Sequence, residues 1–314
     1  MARIKDGSDD KAQPNRRKIL ECMAWAGTGV VWTGAGGVPS SRLIGSAQAK
    51  TAGFSFVQLS DSHIGFEKPA NPDSLKTLTE ALDQVGALPI KPDFMIHTGD
   101  ITHLAKPQQF DDAAKAIGRA GLDVHYAPGE HDILDADTAK AYMERFGKGA
   151  RDGAYYSFDH SGVHFISLNN VTDLKKNGLG FLGPDQLAWL ADDLRDKTDS
   201  TPIVVFCHIP LWMIAPEWGW GTEDSQQALT LLARFGSVTV LNGHIHQLMQ
   251  KVEGAVTFHT ARSTAFPQPA PKTAPAPGPM LVPAGQLRSL LGITQVNYAP
   301  GAGKLAVTDT DLAK

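Results

Sequence analysis

The sequence predicts an α/β fold, and three observations carry the prediction. Short apolar runs alternate with amphipathic stretches from Phe54 onward, and several closely spaced pairs of such runs read as hairpins. With 314 residues, 42% hydrophobic and 20% charged, the chain is long and apolar enough for a substantial core. The β-α alternation calls for mostly parallel strands with helices outside, and the hairpins add antiparallel ones. A mixed sheet, or two packed sheets, with external helices satisfies both.

Taken in order, Phe54–Leu59 reads as a strand and Asn71–Val85 as a helix with Leu75, Leu78, Leu82 and Val85 on one face. Asp93–His97 is a strand, and Pro107–Ile117 a helix opened by a proline, where a missing N–H costs nothing. Val124–Ala127 is a strand and Asp135–Phe146 a helix with an acidic first turn. Ala154–Phe158 and Val163–Leu168 read as antiparallel, since only four residues separate them. Gly183-Pro184 opens a helix carrying Leu187, Leu190 and Leu194 at helical spacing. Ile203–Phe206 is a strand, Ser225–Phe235 a helix and Val238–Leu241 a strand, followed by a hairpin of Met249–Val252 and Ala255–His259. Residues 267–283 hold seven prolines in seventeen positions, which predicts an extended surface segment. Beyond it, the runs Gly292–Tyr298 and Lys304–Thr308 within 284–314 are expected to complete a sheet edge.

Residues 1–49 differ from the rest. A polar stretch with Asn15-Arg16-Arg17-Lys18-Ile19-Leu20 precedes a Gly- and Ala-rich, moderately apolar stretch from Cys22 to Val38, and Ala47-Gln48-Ala49 gives a small-x-small cleavage site. This resembles a twin-arginine export signal, with Glu21 where Lys is usual. The resemblance implies the twin-arginine machinery as a partner and a periplasmic or secreted mature protein that folds, and loads any metal, before export. The apolar stretch is too short and Gly-rich for a stable membrane span. Residues 1–49 carry seven Lys/Arg and four Asp/Glu, so a chain with net charge −4 becomes −7 without them. That balance disfavours a long polyanion such as nucleic acid as partner. Of two cysteines, only Cys207 lies outside the leader, which excludes an internal disulfide and a thiolate zinc site in the mature chain.

Five short pieces follow strand-like runs and end in metal-binding chemistry: Asp61-Ser62-His63, Gly99-Asp100, Gly129-Glu130-His131-Asp132, Cys207-His208 and Gly243-His244-Ile245-His246. In an α/β sheet, functional groups gather beyond the carboxyl ends of strands. Carboxylates and imidazoles converging there suit hard-to-borderline cations such as Zn, Mn or Fe.

The ordered set resembles the calcineurin-like metallophosphoesterase superfamily, whose pattern is D-x-H, G-D, G-N-H-[DE], H and G-H-x-H. The resemblance spans about Phe54 to Val252. It implies a four-layer sandwich of two mixed β-sheets flanked by helices, formed by residues 50–266 and completed by 284–314. It also implies two metal ions: Asp61, His63 and His246 on the first, Glu130, His208 and His244 on the second, and Asp100 bridging both. Such paired cations, ~3.5–4 Å apart, share a carboxylate and a hydroxide, because metal binding lowers the pKa of water from 15.7 toward about 7. The bridging hydroxide would attack a phosphodiester or phosphomonoester of a small molecule in line. His131 would serve the leaving oxygen as proton or hydrogen-bond donor, and Asp132 would orient His131.

The pattern departs at Glu130, where the family has Asn. A third carboxylate is expected to favour a harder or more highly charged ion, such as Fe(III) or Mn. A rival expectation is a weak site, or a non-catalytic protein that binds metal or phosphate esters. His103 stands where purple acid phosphatases have Tyr and some nucleases of the superfamily have His near the scissile phosphate, so it belongs either beside the site or on a surface turn. Trp212, Trp218 and Trp220 follow His208 in a loop that would lie at the rim and could stack on a base or cover an apolar group. His160, His164 and His259 have no motif around them and read as structural.

Overall fold

The computed structural model describes residues 30–35, 38–43, 53–283, 285–301 and 304–313. The chain divides into Met1–Ala52 and Gly53–Lys314. In the first unit, strand β1 (Val30–Ala35) pairs antiparallel with β2 (Val38–Leu43). The paired arginines and the cleavage motif of the expected leader lie outside the described residues. Among the described residues, no helix is long and apolar enough to cross a membrane.

The second unit runs β3 (Phe54–Leu59), α1 (Ser74–Gly86), β4 (Phe94–His97), α2 (Pro107–Gly118), β5 (Asp123–Tyr126), α3 (Ala136–Phe146), β6 (Tyr156–His160) and β7 (Val163–Ser167). It continues with α4 (Pro184–Leu194), β8 (Ile203–Phe206), α5 (Ser225–Leu232), β9 (Val238–Asn242), β10 (Met249–Glu253) and β11 (Val256–Thr260). A short α6 (Leu287–Leu290), β12 (Gly292–Tyr298) and β13 (Ala306–Asp311) end it.

These strands form two mixed sheets, β13-β12-β3-β4-β5 and β10-β11-β9-β8-β7-β6. β3, β4 and β5 are mutually parallel, as are β7, β8, β9 and β11, while β12, β13, β6 and β10 are antiparallel to their neighbours. Strand alternation then separates the layers. Phe54 and Phe56 of β3 point between the sheets, where they meet Phe94, Phe165 and Phe206. Val57 and Leu59 point the other way, onto Leu78 and Leu82 of α1 and Phe110 of α2. Leu187, Leu190 and Leu194 of α4 and Leu232 of α5 cover the outer face of the second sheet in the same manner. The result is the expected four layers, helix, sheet, sheet, helix.

Local chemistry explains where the element boundaries shift. The first helix begins at Ser74 instead of Asn71, because Asp73 caps it by accepting from Lys76 N, while the Asn71 side chain donates to Ala265 O and Thr77 Oγ1. β6 begins at Tyr156 because Ala154 takes a left-handed φ of 57° that breaks the extended run. His259 of β11 and Asp309 of β13 pair at 3.0 Å and so tie one sheet to the other. His164 sits between Asp159 and Asp193, and the His160 ring packs against Phe54 and Phe94. All three histidines are occupied by framework contacts.

Phe56→Ala removes a fully buried ring from the seam between the sheets. Loss of about 3–5 kcal/mol is expected, read as a lower urea midpoint with an unchanged m-value.

Candidate metal centre

The carboxyl ends of β3, β4, β5, β8 and β9 meet on one side of the sandwich, and each of the five motif pieces is the loop that leaves one of them. Backbone hydrogen bonds continue the parallel ladder into these loops: Asp61 N donates to Gly99 O, His63 N to Asp100 O and Ile64 N to Ile101 O, at 2.9–3.0 Å. In the second sheet, Gly243 N donates to His208 O at 3.0 Å, and across the seam His244 N donates to both oxygens of Asp61.

Five of the seven expected ligands lie in the left-handed region: Asp61, His63, Asp100, His244 and His246 have φ between 40° and 69°. For a residue with a Cβ this conformation costs on the order of 1–2 kcal/mol. It turns the chain sharply within four residues of the strand ends at Leu59, His97 and Asn242, so these side chains are aimed back toward one another. Gly99 and Gly243 leave the room for this. A Cβ on Gly99, whose φ is 92°, would lie 2.7 Å from Gly129 N and His208 Nδ1, and one on Gly243 would lie 2.0 Å from Ser60 Oγ.

The ligand atoms converge. Asp61, His63 and His246 offer atoms that all lie within 4.8 Å of one another, and so do Glu130, His208 and His244. Asp100 stands between the two trios. Its Oδ1 accepts from His131 N at 2.9 Å, and its Oδ2 lies 3.4 Å from both His63 Nε2 and His208 Nε2.

The proton positions on two of these rings, His208 and His246, are fixed by carbonyl oxygens, which can only accept. His208 Nδ1 donates to Thr98 O at 2.7 Å and His246 Nδ1 donates to Phe266 O at 2.5 Å. A neutral ring so held turns the lone pair of Nε2 toward the other ligands. His246 Nε2 then faces His63 Nε2 at 3.2 Å and Asp61 Oδ1 at 3.2 Å. His208 Nε2 faces Glu130 Oε2 at 2.8 Å, yet both atoms, with His244 Nε2, are buried without a hydrogen-bond partner. Lone pairs aimed at one another this closely require positive charge between them. Cations meet that need, so the residues present fit two metal ions.

Without a cation, protons are drawn to the same place. Burial pushes the His63 ring toward its neutral form, and neighbouring imidazoles add to the effect. Burial opposes charge on Glu130 and His208, but the carboxylate is outweighed by His244 and His208, and the imidazole by Asp100 and Glu130. Glu130 therefore ionises well below the usual carboxylate range and His208 protonates well above the usual imidazole range. Asp61 falls to about 2, its burial overcome by His246, His208 and Ser60.

His131 lies beside the ligands, but Asp132 does not orient it. The His131 ring donates through Nδ1 to the carbonyl of His103 at 2.7 Å and stacks on the His103 ring, with centroids 5.0 Å apart. Asp132 is fully buried, and its carboxylate accepts from the backbone N–H groups of Ile101, Thr102 and Gly129 and from the Thr102 hydroxyl. It makes no hydrogen bond with the His131 ring; it fastens the loop after β5 to the loop after β4. Burial, with Asp100 second, pushes its pKa up to about 6 against those bonds. His103 therefore belongs to the site, with its Nδ1 3.4 Å from His63 Nδ1.

A cavity of about 350 Å³ opens over this floor, bordered by Trp218 and Trp220 but not by Trp212. Trp212 instead packs on Phe258, 5.0 Å between centroids, in the core beneath α5. The cavity is also lined by Lys68, Asn177, Phe266, Gln268 and Pro277–Pro279, which sequence reasoning did not single out. Only the density of prolines flagged any of them. Cys207 is buried, with its thiol pushed up to about 12, and is no ligand.

Residues 54–248, more than half of the chain, match the family model described as calcineurin-like phosphoesterase. The chain belongs to this family. It is thus a metallophosphoesterase, a metal-binding hydrolase of phosphoric esters. Among curated relatives, it is similar to the serine/threonine-protein phosphatase CPPED1 of Danio rerio, 26% identical over 62% of this chain and 70% of that one. It is also similar to the glycerophosphodiester phosphodiesterase GpdQ of Enterobacter lignolyticus, 24% identical over 60% of this chain and 69% of that one. Purple acid phosphatase 23 of Arabidopsis thaliana is 33% identical over 38% of this chain, which spans only 27% of that enzyme. The crystal structure of a dimetal phosphatase from Danio rerio shares the family fold, with a TM-score of 0.58 at 14% identity over 81% of this chain and 98% of that one.

Removing the Asp132 carboxylate leaves three backbone donors without their acceptor. Asp132→Ala is expected to lower stability by about 3 kcal/mol and to reduce bound metal, whereas His131→Ala should keep both within error. Denaturant titration and metal analysis of the two variants check this.

Proposed function

We propose that this metallophosphoesterase is an exported, dinuclear enzyme that hydrolyses phosphodiesters or phosphomonoesters of small molecules. The observation that carries the reading is Asp100 Oδ2, equidistant at 3.4 Å from a histidine of each ligand trio. A carboxylate oxygen so placed would serve two cations at once. Asp61, His63 and His246 would hold one ion and Glu130, His208 and His244 the other. When bound, the two ions supply an activated water and offset charge on the phosphoryl oxygens.

The chain's own groups do the remainder. His131 has Nδ1 committed to His103 O, which leaves Nε2 as the nitrogen that can serve a leaving oxygen. Burial opposes its protonation, but Asp100 and Glu130 raise its pKa above the ordinary imidazole value, which favours the form that donates. His103 fixes the plane of that ring by stacking and by its carbonyl. The loops around the cavity restrict water and set what can approach.

His103 beside the floor is the feature that favours a nuclease as the second reading. Lys68 is the one Lys or Arg among the cavity-lining residues, which favours a small ester over a polynucleotide. For export, the support is Arg16-Arg17 with the apolar stretch and Ala47-Gln48-Ala49.

With metal-free protein and Zn, Mn or Fe restored singly, turnover of p-nitrophenyl phosphate or its bis ester is expected with two ions bound per chain. Two ions bound and no hydrolysis of either ester would overturn the enzymatic reading. Glu130→Asn should move metal content from Fe or Mn toward Zn, measured by elemental analysis; unchanged content would refute its role as a ligand that selects harder ions. Replacing Arg16 and Arg17 with Lys should leave a reporter fusion in the cytoplasm, and undiminished export would refute the twin-arginine route.

A further inference from the structure

The Pro-rich stretch was the one prominent sequence feature to which the family pattern gives no role. In the structure it closes on itself: Met280 N donates to Pro267 O at 2.9 Å, so residues 267–280 leave and rejoin the body at one place. Gln268 ties this loop to the site. Its Nε2 donates to His244 O at 2.8 Å and its Oε1 accepts from Gly278 N at 3.0 Å. Gln247 adds two more bonds, to Gln268 O and Pro269 O. The segment Pro277-Gly278-Pro279 is thereby held over the metal ligands as one wall of the cavity.

A second wall carries Trp218. The turn that bears it is clamped by reciprocal hydrogen bonds between Ala215 and Trp220, and Trp218 meets the buried Trp220 edge-to-face at 5.1 Å. Gly219, with a left-handed φ of 76°, lets this turn dock on its neighbour; a Cβ there would lie 2.6 Å from Asn177 O. Both walls are preorganised, since prolines and a packed indole lose little freedom when a ligand arrives. Leu174, 39% exposed, is an apolar side chain at the mouth, and among the described cavity-lining residues those from the two walls are uncharged. The charged groups lie on the floor, with Lys68 to the side of His103.

We propose that Trp218 and the Pro277-Gly278-Pro279 segment form a slot that selects phosphate esters carrying a flat, uncharged aromatic ester group. This rests on the phosphoester-hydrolase reading above and names its substrate class. The continuity of the slot with the ligand floor places one ester substituent against the indole while the phosphoryl group stays on the metals. An indole face and proline rings favour a π-surface over a hydrated polyol such as glycerol, which would lose water there without new hydrogen bonds.

The test is calorimetric binding of phenylphosphonate and methylphosphonate, neither of which has an ester bond to cleave, to the full Mn-loaded protein. Phenylphosphonate is expected to bind about tenfold tighter, a preference that Trp218→Phe retains and Trp218→Ala reduces to about threefold or less. Substituting both Pro277 and Pro279 with Gly should weaken phenylphosphonate alone. In kinetics, the kcat/KM ratio of bis(p-nitrophenyl) phosphate over methyl p-nitrophenyl phosphate should fall in step in Trp218→Ala. Equal binding of the two phosphonates by the unaltered protein, or a preference untouched by Trp218→Ala, would overturn the slot. A phenyl preference without hydrolysis of any ester would leave the slot standing and overturn the hydrolase reading instead.

Discussion

Three carboxylates and four imidazoles face one another at the seam of two sheets, and the arrangement around them follows from keeping that cluster together. Left to themselves, Asp61, Asp100 and Glu130 repel, and Nε2 of His208 faces carboxylate oxygens of Asp100 and Glu130. Two features hold the cluster in place. Backbone carbonyls fix the rings of His208 and His246, and backbone amides fix Asp61 and Asp100. The second is the left-handed turn after β3, β4 and β9, which aims Asp61, His63, Asp100, His244 and His246 inward without the length of a longer loop. Such strain persists because the surrounding ladder over-determines it, and it is released only by unfolding the strand ends themselves. Bound cations would turn the repulsion into attraction.

The fastening is indirect as well as direct. Asp132 touches neither His131's ring nor a ligand atom, yet it binds the loop after β5 to the loop after β4. Because His131 N also donates to Asp100, the position of the Asp100 carboxylate depends on that fastening. The site is thus less a set of seven side chains than a set of loops locked in register, with the side chains as their ends. The cross-sheet pair of His259 and Asp309 and the aromatic seam around Phe56 hold the two sheets at the separation this register needs.

The four-layer architecture was legible in the sequence, and so were the seven residues proposed as ligands, whose side chains the fold brings together. Hydrophobic period and turn residues report strands and helices directly, and ligand chemistry is carried by side-chain type. Three features were not legible, for one reason: each depends on a backbone atom. His131 is oriented by the carbonyl of His103, and a carbonyl has no sequence signature; the adjacent Asp132 was the visible candidate and proved to serve other amides. Left-handed Asp and His residues look like any others in a string of letters. The folding of 267–280 back over the site depends on Gln268 reaching His244 O, a contact that neither composition nor periodicity encodes. Trp212 was misplaced for a different reason. It shares a loop with Trp218, but its ring is taken by Phe258 and the core beneath α5, while Trp218 remains at the cavity.

In the proposed centre, one oxygen of Asp100 joins two metal sites. Electron paramagnetic resonance of the metal-free protein loaded with two equivalents of Mn(II) tests it most directly, because ions ~3.5–4 Å apart through a shared carboxylate are exchange-coupled. The account predicts a coupled multiline spectrum that reverts to the six-line signal of isolated Mn(II) in Asp100→Ala. A six-line spectrum from the unaltered protein with both ions bound would contradict it.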